Sequence, residues 1–241
     1  MEISVVNART LDEAHFLALR KVFEKGRVYV IQKGSYEGNR RLELPMVNLR
    51  VTHPFDEPRV PQVPPGVSPP TDREAVEKYF QDYLFSGEMQ KNEMYTYGQY
   101  IASQLGPVIQ MLRLHGPGTN QATITIGGTE SVHQEHPPCL RLIDCRVMDG
   151  KLHFVVYFRS WDCWAGLPEN LGGLQLLKEY MAGEVGVGDG EIVAVSKGLH
   201  VYDYQWPSVF ARLGNTLPEG CPISEKEAEA GEKWMLGEEK D

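Results

Sequence analysis

The chain lacks any apolar run long enough to span a bilayer, so no membrane partner is expected. Residues 1–10, MEISVVNART, show no basic stretch followed by an apolar one, which argues against a secretory leader. Positive charge is scarce: 24 Lys and Arg against 33 Asp and Glu leave a formal net charge of −9. That balance speaks against a broad nucleic-acid surface and requires any anion site to be local. Cysteine is sparse too. Cys139, Cys145, Cys163 and Cys221 fit neither a zinc ribbon nor a redox CxxC pair, and a reduced, cytoplasmic location is the simplest expectation. The sequence also shows no internal repeat.

At 241 residues the chain can bury a full core. Residues 1–222 read as one domain, and residues 223–241 as a charged tail. Thr10 and Glu13 form a capping box ahead of a helix with Phe16, Leu19 and Phe23 at helical spacing, ended by Gly26. RVYVIQKG (27–34) and RLELPMVNLRV (41–51) read as two strands, followed by a proline-rich loop from His53. An amphipathic helix is expected over 72–84, and a longer one over 93–116, kinked or interrupted near Gly106-Pro107. Residues 121–128 read as a strand. Two apolar, β-branched runs flank Met148-Asp149-Gly150 as a hairpin. A helix with Pro168 in its first turn and a final strand near 191–206 follow. The pattern predicts an α/β (α+β) fold, a large mixed sheet with helices on one face.

The hairpin sets Cys139 opposite Arg159, or within one residue of it. A free thiol ionises near pH 8.5, and a neighbouring guanidinium is expected to lower that value. The alternative is a buried cysteine beside a surface arginine. Cys145 and Cys163 read as core, and Cys221 has no evident role.

Several separated motifs then fall at fixed spacing: PPC (137–139), RSWD (159–162), GLPEN (166–170) and LHVY (199–202), with TYG (96–98) upstream. Together they resemble the thymidylate synthase family. The opening helix and LELPMVNLRVTHP (42–54) look like its short, archaeal-type branch. The resemblance covers most of residues 1–210 and is strongest over 137–202. It implies a large sheet with helices on one face and a second subunit on the other, hence a homodimer. It also implies a pyrimidine-nucleotide substrate, methylene-tetrahydrofolate or a related reduced pterin as co-substrate, and no metal.

The implied roles suit the residues. Cys139 would add as thiolate to C6 of the pyrimidine, turning C5 into a carbon nucleophile. Arg159 would activate it and touch the substrate phosphate, with Ser160 adding a hydrogen bond. Asn170 would match the N3–H and O4 edge of uracil, where an acid would suit cytosine. His200 and Tyr202 would bind the ribose hydroxyl. Tyr97 would help remove the C5 proton through water. Asp162 would hold the folate ring and help place the pyrimidine. Singly, each has a plainer reading: Asn170 as a helix cap, His200 and Tyr202 as half-buried strand residues, Tyr97 as packing beside Tyr95 and Tyr100.

The chain departs from the family pattern at several places. Asn120 and Gln121 stand where the family carries an arginine pair that reaches the partner's nucleotide phosphate, and Arg40, Arg41 or Arg113 are the candidates to compensate. The family's catalytic glutamate has Glu57 as its nearest match. The closing C-terminal segment is not recognisable in KWMLGEEKD (233–241). Phe158, Leu140 and Glu169 replace Gln, His and Phe, and Glu169 borders the expected folate site. The resemblance therefore implies methylation of dUMP, with two alternatives: 5-hydroxymethylation of (d)UMP or (d)CMP, and a degenerate nucleotide-binding homologue without turnover. A metal site is a further reading of His133, His136 and Cys139, which read H-x2-H-x2-C but lack an obvious fourth ligand.

Overall fold

The computed structural model describes residues 1–33, 36–89, 91 and 94–230. In chain order the strands are β1 (Ser4–Ala8), β2 (Arg27–Val30), β3 (Arg40–Leu44), β4 (Val47–Val51), β5 (Thr123–Thr125), β6 (Leu140–Met148), β7 (Lys151–Phe158), β8 (Trp161–Asp162), β9 (Gly188–Ser196) and β10 (Leu199–Tyr202). The helices are α1 (Leu11–Lys25), α2 (Arg73–Lys78), α3 (Gly98–His115), α4 (Gly166–Val185), α5 (Trp206–Arg212) and α6 (Glu225–Ala230).

Six strands form a mixed sheet in the order β1-β4-β9-β7-β6-β5, and four form a smaller sheet, β2-β3-β10-β8. Period-two burial sets the two faces of the large sheet. On β7, Leu152, Phe154, Val156 and Phe158 are buried, while His153, Val155 and Tyr157 point the other way. Against the buried face lies α4, whose Leu171, Leu174, Leu177 and Met181 are fully buried. Gly172 and Gly173 let α2 and the following turn approach α4: an added Cβ would meet Val76 at 2.8 Å and Tyr79 at 2.5 Å.

Local signals hold at both ends of α1. The Thr10 hydroxyl accepts from the Glu13 N–H at 3.2 Å, and the Glu13 carboxylate accepts from Arg9 rather than from Thr10. Gly26 ends the helix in an extended conformation, not a left-handed one. Its lack of a side chain matters because a Cβ would collide with the Val22 carbonyl.

Four expectations need correction. The strand expected near 191–206 is two: β9 ends at Ser196 in the large sheet, Gly198 turns the chain at positive φ, and β10 runs in the small sheet only to Tyr202. The run 41–51 is not one strand: Pro45 has no N–H to extend a ladder, and the chain passes there from β3 in the small sheet to β4 in the large one. The helix expected over 72–84 is α-helical only to Lys78, and Tyr79–Phe85 continues as a π-helix. Finally, α3 starts at Gly98 and runs unbroken past Pro107. Ser103 and Pro107 lie on its exposed side, so the carbonyl that proline frees is open to solvent, while Ile101, Leu105, Val108, Ile109 and Leu112 anchor the opposite face. At the other end of the chain, α6 docks with Ala228 buried and Glu227 paired to Arg40 at 3.0 Å. Residues 231–241 lie outside the described residues.

Candidate active site

The β6–β7 hairpin turns at Asp149 and Gly150, both with positive φ, as a two-residue turn requires. Its ladder pairs Val147 with Leu152 and Met148 with Lys151. Continued without interruption, that register would set Ser160 against Cys139. A bulge between Leu140 and Leu142 slips it by one residue. Leu140 then pairs with Phe158, and the Arg159 N–H donates to the Cys139 carbonyl at 2.8 Å.

The prolines before the cysteine position the arginine. Arg159 Nε donates to the Pro137 and Pro138 carbonyls at 3.2 Å, and Nη2 to Pro137 at 2.6 Å. Burial pushes the Cys139 thiol up. The Arg159 charge and a hydrogen bond from Tyr95 pull it back only in part. The net direction is opposite to the lowering expected from an arginine neighbour, because desolvation of the thiolate outweighs the attraction. The thiol is therefore protonated at rest.

Cys139, Arg159, Ser160 and Tyr202 line a chamber of 780 Å³ together with Arg41 and Lys33. Arg41, Arg159 and Lys33 bring positive charge to it, opposed by Glu135. Of the three arginines weighed as compensating, only Arg41 lines it, paired with Glu43 at 2.6 Å. Arg40 binds Glu227 and lies over Trp206, and Arg113 binds Glu184. Asn120 and Gln121 are exposed, beside a separate hollow with His115. His133 and His136 also line the chamber. Among the described residues no group of three His, Cys, Asp or Glu side chains is placed to hold a metal.

Asn170 and Tyr97 line a second chamber of 510 Å³ with Tyr79, Tyr83, Glu169 and Lys78. Tyr97 lines the second chamber, and its hydroxyl accepts from the N–H of Leu140, the residue after Cys139, at 3.2 Å. The Asn170 amide has a fixed orientation. Oδ1 accepts from the Trp161 indole N–H at 3.0 Å, and Nδ2 donates to the Tyr79 hydroxyl at 2.8 Å. An indole nitrogen only donates, so the amide cannot flip.

The remaining expected residues are more enclosed. Asp162 Oδ1 accepts from the Trp164 and Ala165 N–H groups at 2.9 and 3.3 Å, and Oδ2 from Gln205 at 3.0 Å. His200 is buried, with Nδ1 2.8 Å from the Gly198 carbonyl, and burial holds its pKa down at about 4. The bond to a carbonyl puts the proton on Nδ1, which leaves Nε2 as a buried acceptor without a partner among the described residues. The His200 ring sits edge-on to Tyr202, 4.7 Å between centroids. Glu57 lines neither chamber. It pairs with Arg73 at a separate hollow that also includes Arg59.

Tyr79, Tyr83 and Tyr95 were not singled out from the sequence. Tyr79 and Tyr83 stack at 5.3 Å. Their four-residue spacing was visible, but the π-helix that carries them was not. Tyr95 enters the sequence reading only as a neighbour of Tyr97, although it hydrogen-bonds to the Cys139 thiol.

Comparison with known proteins bears on the family. A family model described as thymidylate synthase matches residues 82–225. A protein of Methanosarcina acetivorans, provisionally named a thymidylate synthase, is 32% identical over 212 residues, covering 85% of this chain and 92% of that protein. A provisionally named thymidylate synthase of Methanosarcina barkeri is 28% identical over 211 residues, with the same coverage of 85% and 92%. The thymidylate synthase of Listeria monocytogenes is 31% identical over 129 residues, 52% of this chain and 40% of that protein. With its model matched across more than half of the sequence and its motifs gathered around one pair of chambers, the chain belongs to the thymidylate synthase family.

Proposed function

We propose that the chain is a one-carbon transferase that methylates C5 of dUMP. The observation that carries this reading is Cys139 set against Arg159 in a cation-lined chamber, with Tyr97 and Asn170 together in a second one. Arg41, Arg159 and Lys33 would bind the phosphate, Ser160 would support it, and His200 Nε2 and Tyr202 would receive the ribose hydroxyl. The Cys139 sulfur bonds to C6 as the C5=C6 π bond opens. The thiol proton passes to water, and charge moves to C5 and O4, where the Asn170 amide donates. A reduced pterin seated against the rings of the second chamber would supply the electrophilic carbon, whose bond to the pterin nitrogen breaks as the C5 proton leaves, and then the hydride that completes the methyl group. Tyr97 holds the water that accepts the C5 proton. Release of Cys139 restores the C5=C6 bond.

Glu169 favours a second reading. A carboxylate in the donor chamber retains water, and water in place of hydride would yield a 5-hydroxymethyl product. One experiment separates the readings. The protein is incubated with dUMP, UMP, dCMP or CMP and methylene-tetrahydrofolate, and products are weighed by mass spectrometry, with deoxyuridine as the phosphate-free control. Gain of CH2 on dUMP and none on deoxyuridine is expected. Gain of CH2O establishes hydroxymethylation, and no product on any nucleotide points to a degenerate homologue.

We also propose a homodimer through the outer face of the large sheet, where Val155 and Tyr157 on β7 and Val193 and Val195 on β9 are partly exposed. Light scattering without nucleotide should give twice the chain mass, and a monomer removes this assembly.

A further inference from the structure

Once its proton has gone, the Cys139 sulfur needs a hydrogen-bond donor, because burial strips it of part of its water and pushes the thiol up. Arg159 does not supply one. Its Nε and Nη2 donate to the Pro137 and Pro138 carbonyls, and it acts on the sulfur through its charge. Arg41, Lys33, Glu135, His133, His136 and Tyr202 line the same chamber, and among the described residues none of them hydrogen-bonds to the thiol. The hydroxyl that does so belongs to Tyr95.

Tyr95 lies outside the TYG motif, just ahead of α3, and is partly buried against the core, as Cys139 is. Its ring packs against Tyr97 at 5.7 Å and Tyr83 at 6.2 Å between centroids. The hydrogen bonds around it run one way. The Leu140 N–H donates to the Tyr97 hydroxyl at 3.2 Å. The Cys139 N–H donates to the Tyr95 oxygen, and so does the Tyr97 hydroxyl. A phenol oxygen has two lone pairs and one proton. With both lone pairs of Tyr95 occupied, its proton is left for the sulfur, and each bond in the chain polarises the next. Burial and the nearby sulfur hold the Tyr95 hydroxyl above its usual range, so it keeps that proton.

We propose that Tyr95 is the hydrogen-bond donor that holds the Cys139 thiolate, both when the sulfur adds to C6 and when it leaves. The thiol proton goes to water, and Tyr95 keeps its own. As the bond to C6 forms, charge moves from the sulfur to C5 and O4, and the bond from Tyr95 slackens. On release the charge returns to the sulfur, and the same bond is remade. One fixed donor therefore eases both steps. The inference rests on the transferase reading above and adds a residue to its chemistry.

The test compares the wild type with Tyr95→Phe, which keeps the ring and removes the hydroxyl. Cys139 is alkylated with iodoacetamide across pH, without nucleotide, and the modified peptides are quantified by mass spectrometry. The thiolate is the reacting form. Without its donor, Cys139 should react about tenfold more slowly at neutral pH, the size expected of a hydrogen bond to a charged group. The two rates should converge at high pH, so the profile moves to higher pH. Cys221, partly exposed in the loop before α6, is the internal control and should react equally in both. In turnover, kcat on dUMP should fall about tenfold while the dUMP KM stays within about twofold, since Tyr95 lines neither chamber. A loss of packing alone would not move the pH profile. If Tyr95→Phe does not fold, 3-fluorotyrosine at position 95 takes its place. It keeps ring and hydroxyl and donates more strongly, so the profile should move to lower pH. A profile that coincides with the wild type in either variant overturns the proposal. Should the wild type make product while the profiles coincide, this inference alone fails. A shifted profile in a protein that forms no product upholds the donor and removes the transferase reading.

Discussion

Replacing Cys139 with serine is expected to lower turnover on dUMP by at least about a thousandfold while leaving the fold intact, in line with nucleophile replacements elsewhere. Sulfur and oxygen are close in size, and the Cys139 side chain is only partly buried. The backbone bond from Arg159 and the clasp of the guanidinium by the proline carbonyls do not involve the sulfur. The chemistry changes far more than the packing. Burial already holds the thiol above its ordinary range, and an alcohol in the same place would be far less ionised still. Because the thiol is the protonated form at rest, wild-type turnover should also rise with pH from neutrality towards the thiol pKa. Two measurements check this: kcat across pH, and the mass of the protein trapped with dUMP and donor. A serine variant with near-normal turnover, or a wild type that never carries a covalent nucleotide, would sink the nucleophile assignment.

What could be read from the sequence follows the range of each interaction. Short-range chemistry was legible. Asp149-Gly150 announced the hairpin because few residues accept positive φ, and Thr10 with Glu13 announced the start of α1. The strand pairing that faces Cys139 with Arg159 was legible only to within one residue, because a bulge carries no composition signal of its own. The contents of the two chambers were not legible. Whether a carboxylate is enclosed, as Asp162 is, or open, as Glu169 is, depends on Gln205 arriving from the start of α5 and on the backbone N–H groups of the turn into α4. The same holds for the three candidate arginines. Their side chains are chemically alike, and only the course of β3 places Arg41 in the chamber while Arg40 turns to Glu227. The net effect on the Cys139 thiol was misjudged for a related reason: sequence shows the charge partner but not the desolvation that opposes it.

Asn170→Asp is expected to reverse the choice of base. The neighbours of Asn170 tolerate the change. The Trp161 indole still has an oxygen to donate to, and the Tyr79 hydroxyl, which now accepts from Nδ2, can rotate and donate instead. What the variant loses is the amide N–H that, on the proposed reading, would face the base. With uracil, an ionised carboxylate cannot donate to O4, and the charge that O4 gains as Cys139 adds would build up against a like charge. With cytosine, the same carboxylate accepts from the 4-amino group. Sites built around a substrate hydrogen bond discriminate strongly against analogues that cannot complete it. The ratio of kcat/KM on dUMP to that on dCMP should therefore fall by about a hundredfold or more. The pH dependence gives a second check with a definite sign. The protonated carboxyl regains a donor, so dUMP activity relative to dCMP should recover as pH falls through the pKa of the introduced acid. A base preference that stays at the wild-type ratio across that range would mean that Asn170 orients Trp161 and Tyr79 without touching the pyrimidine, and that base choice is made elsewhere in the two chambers.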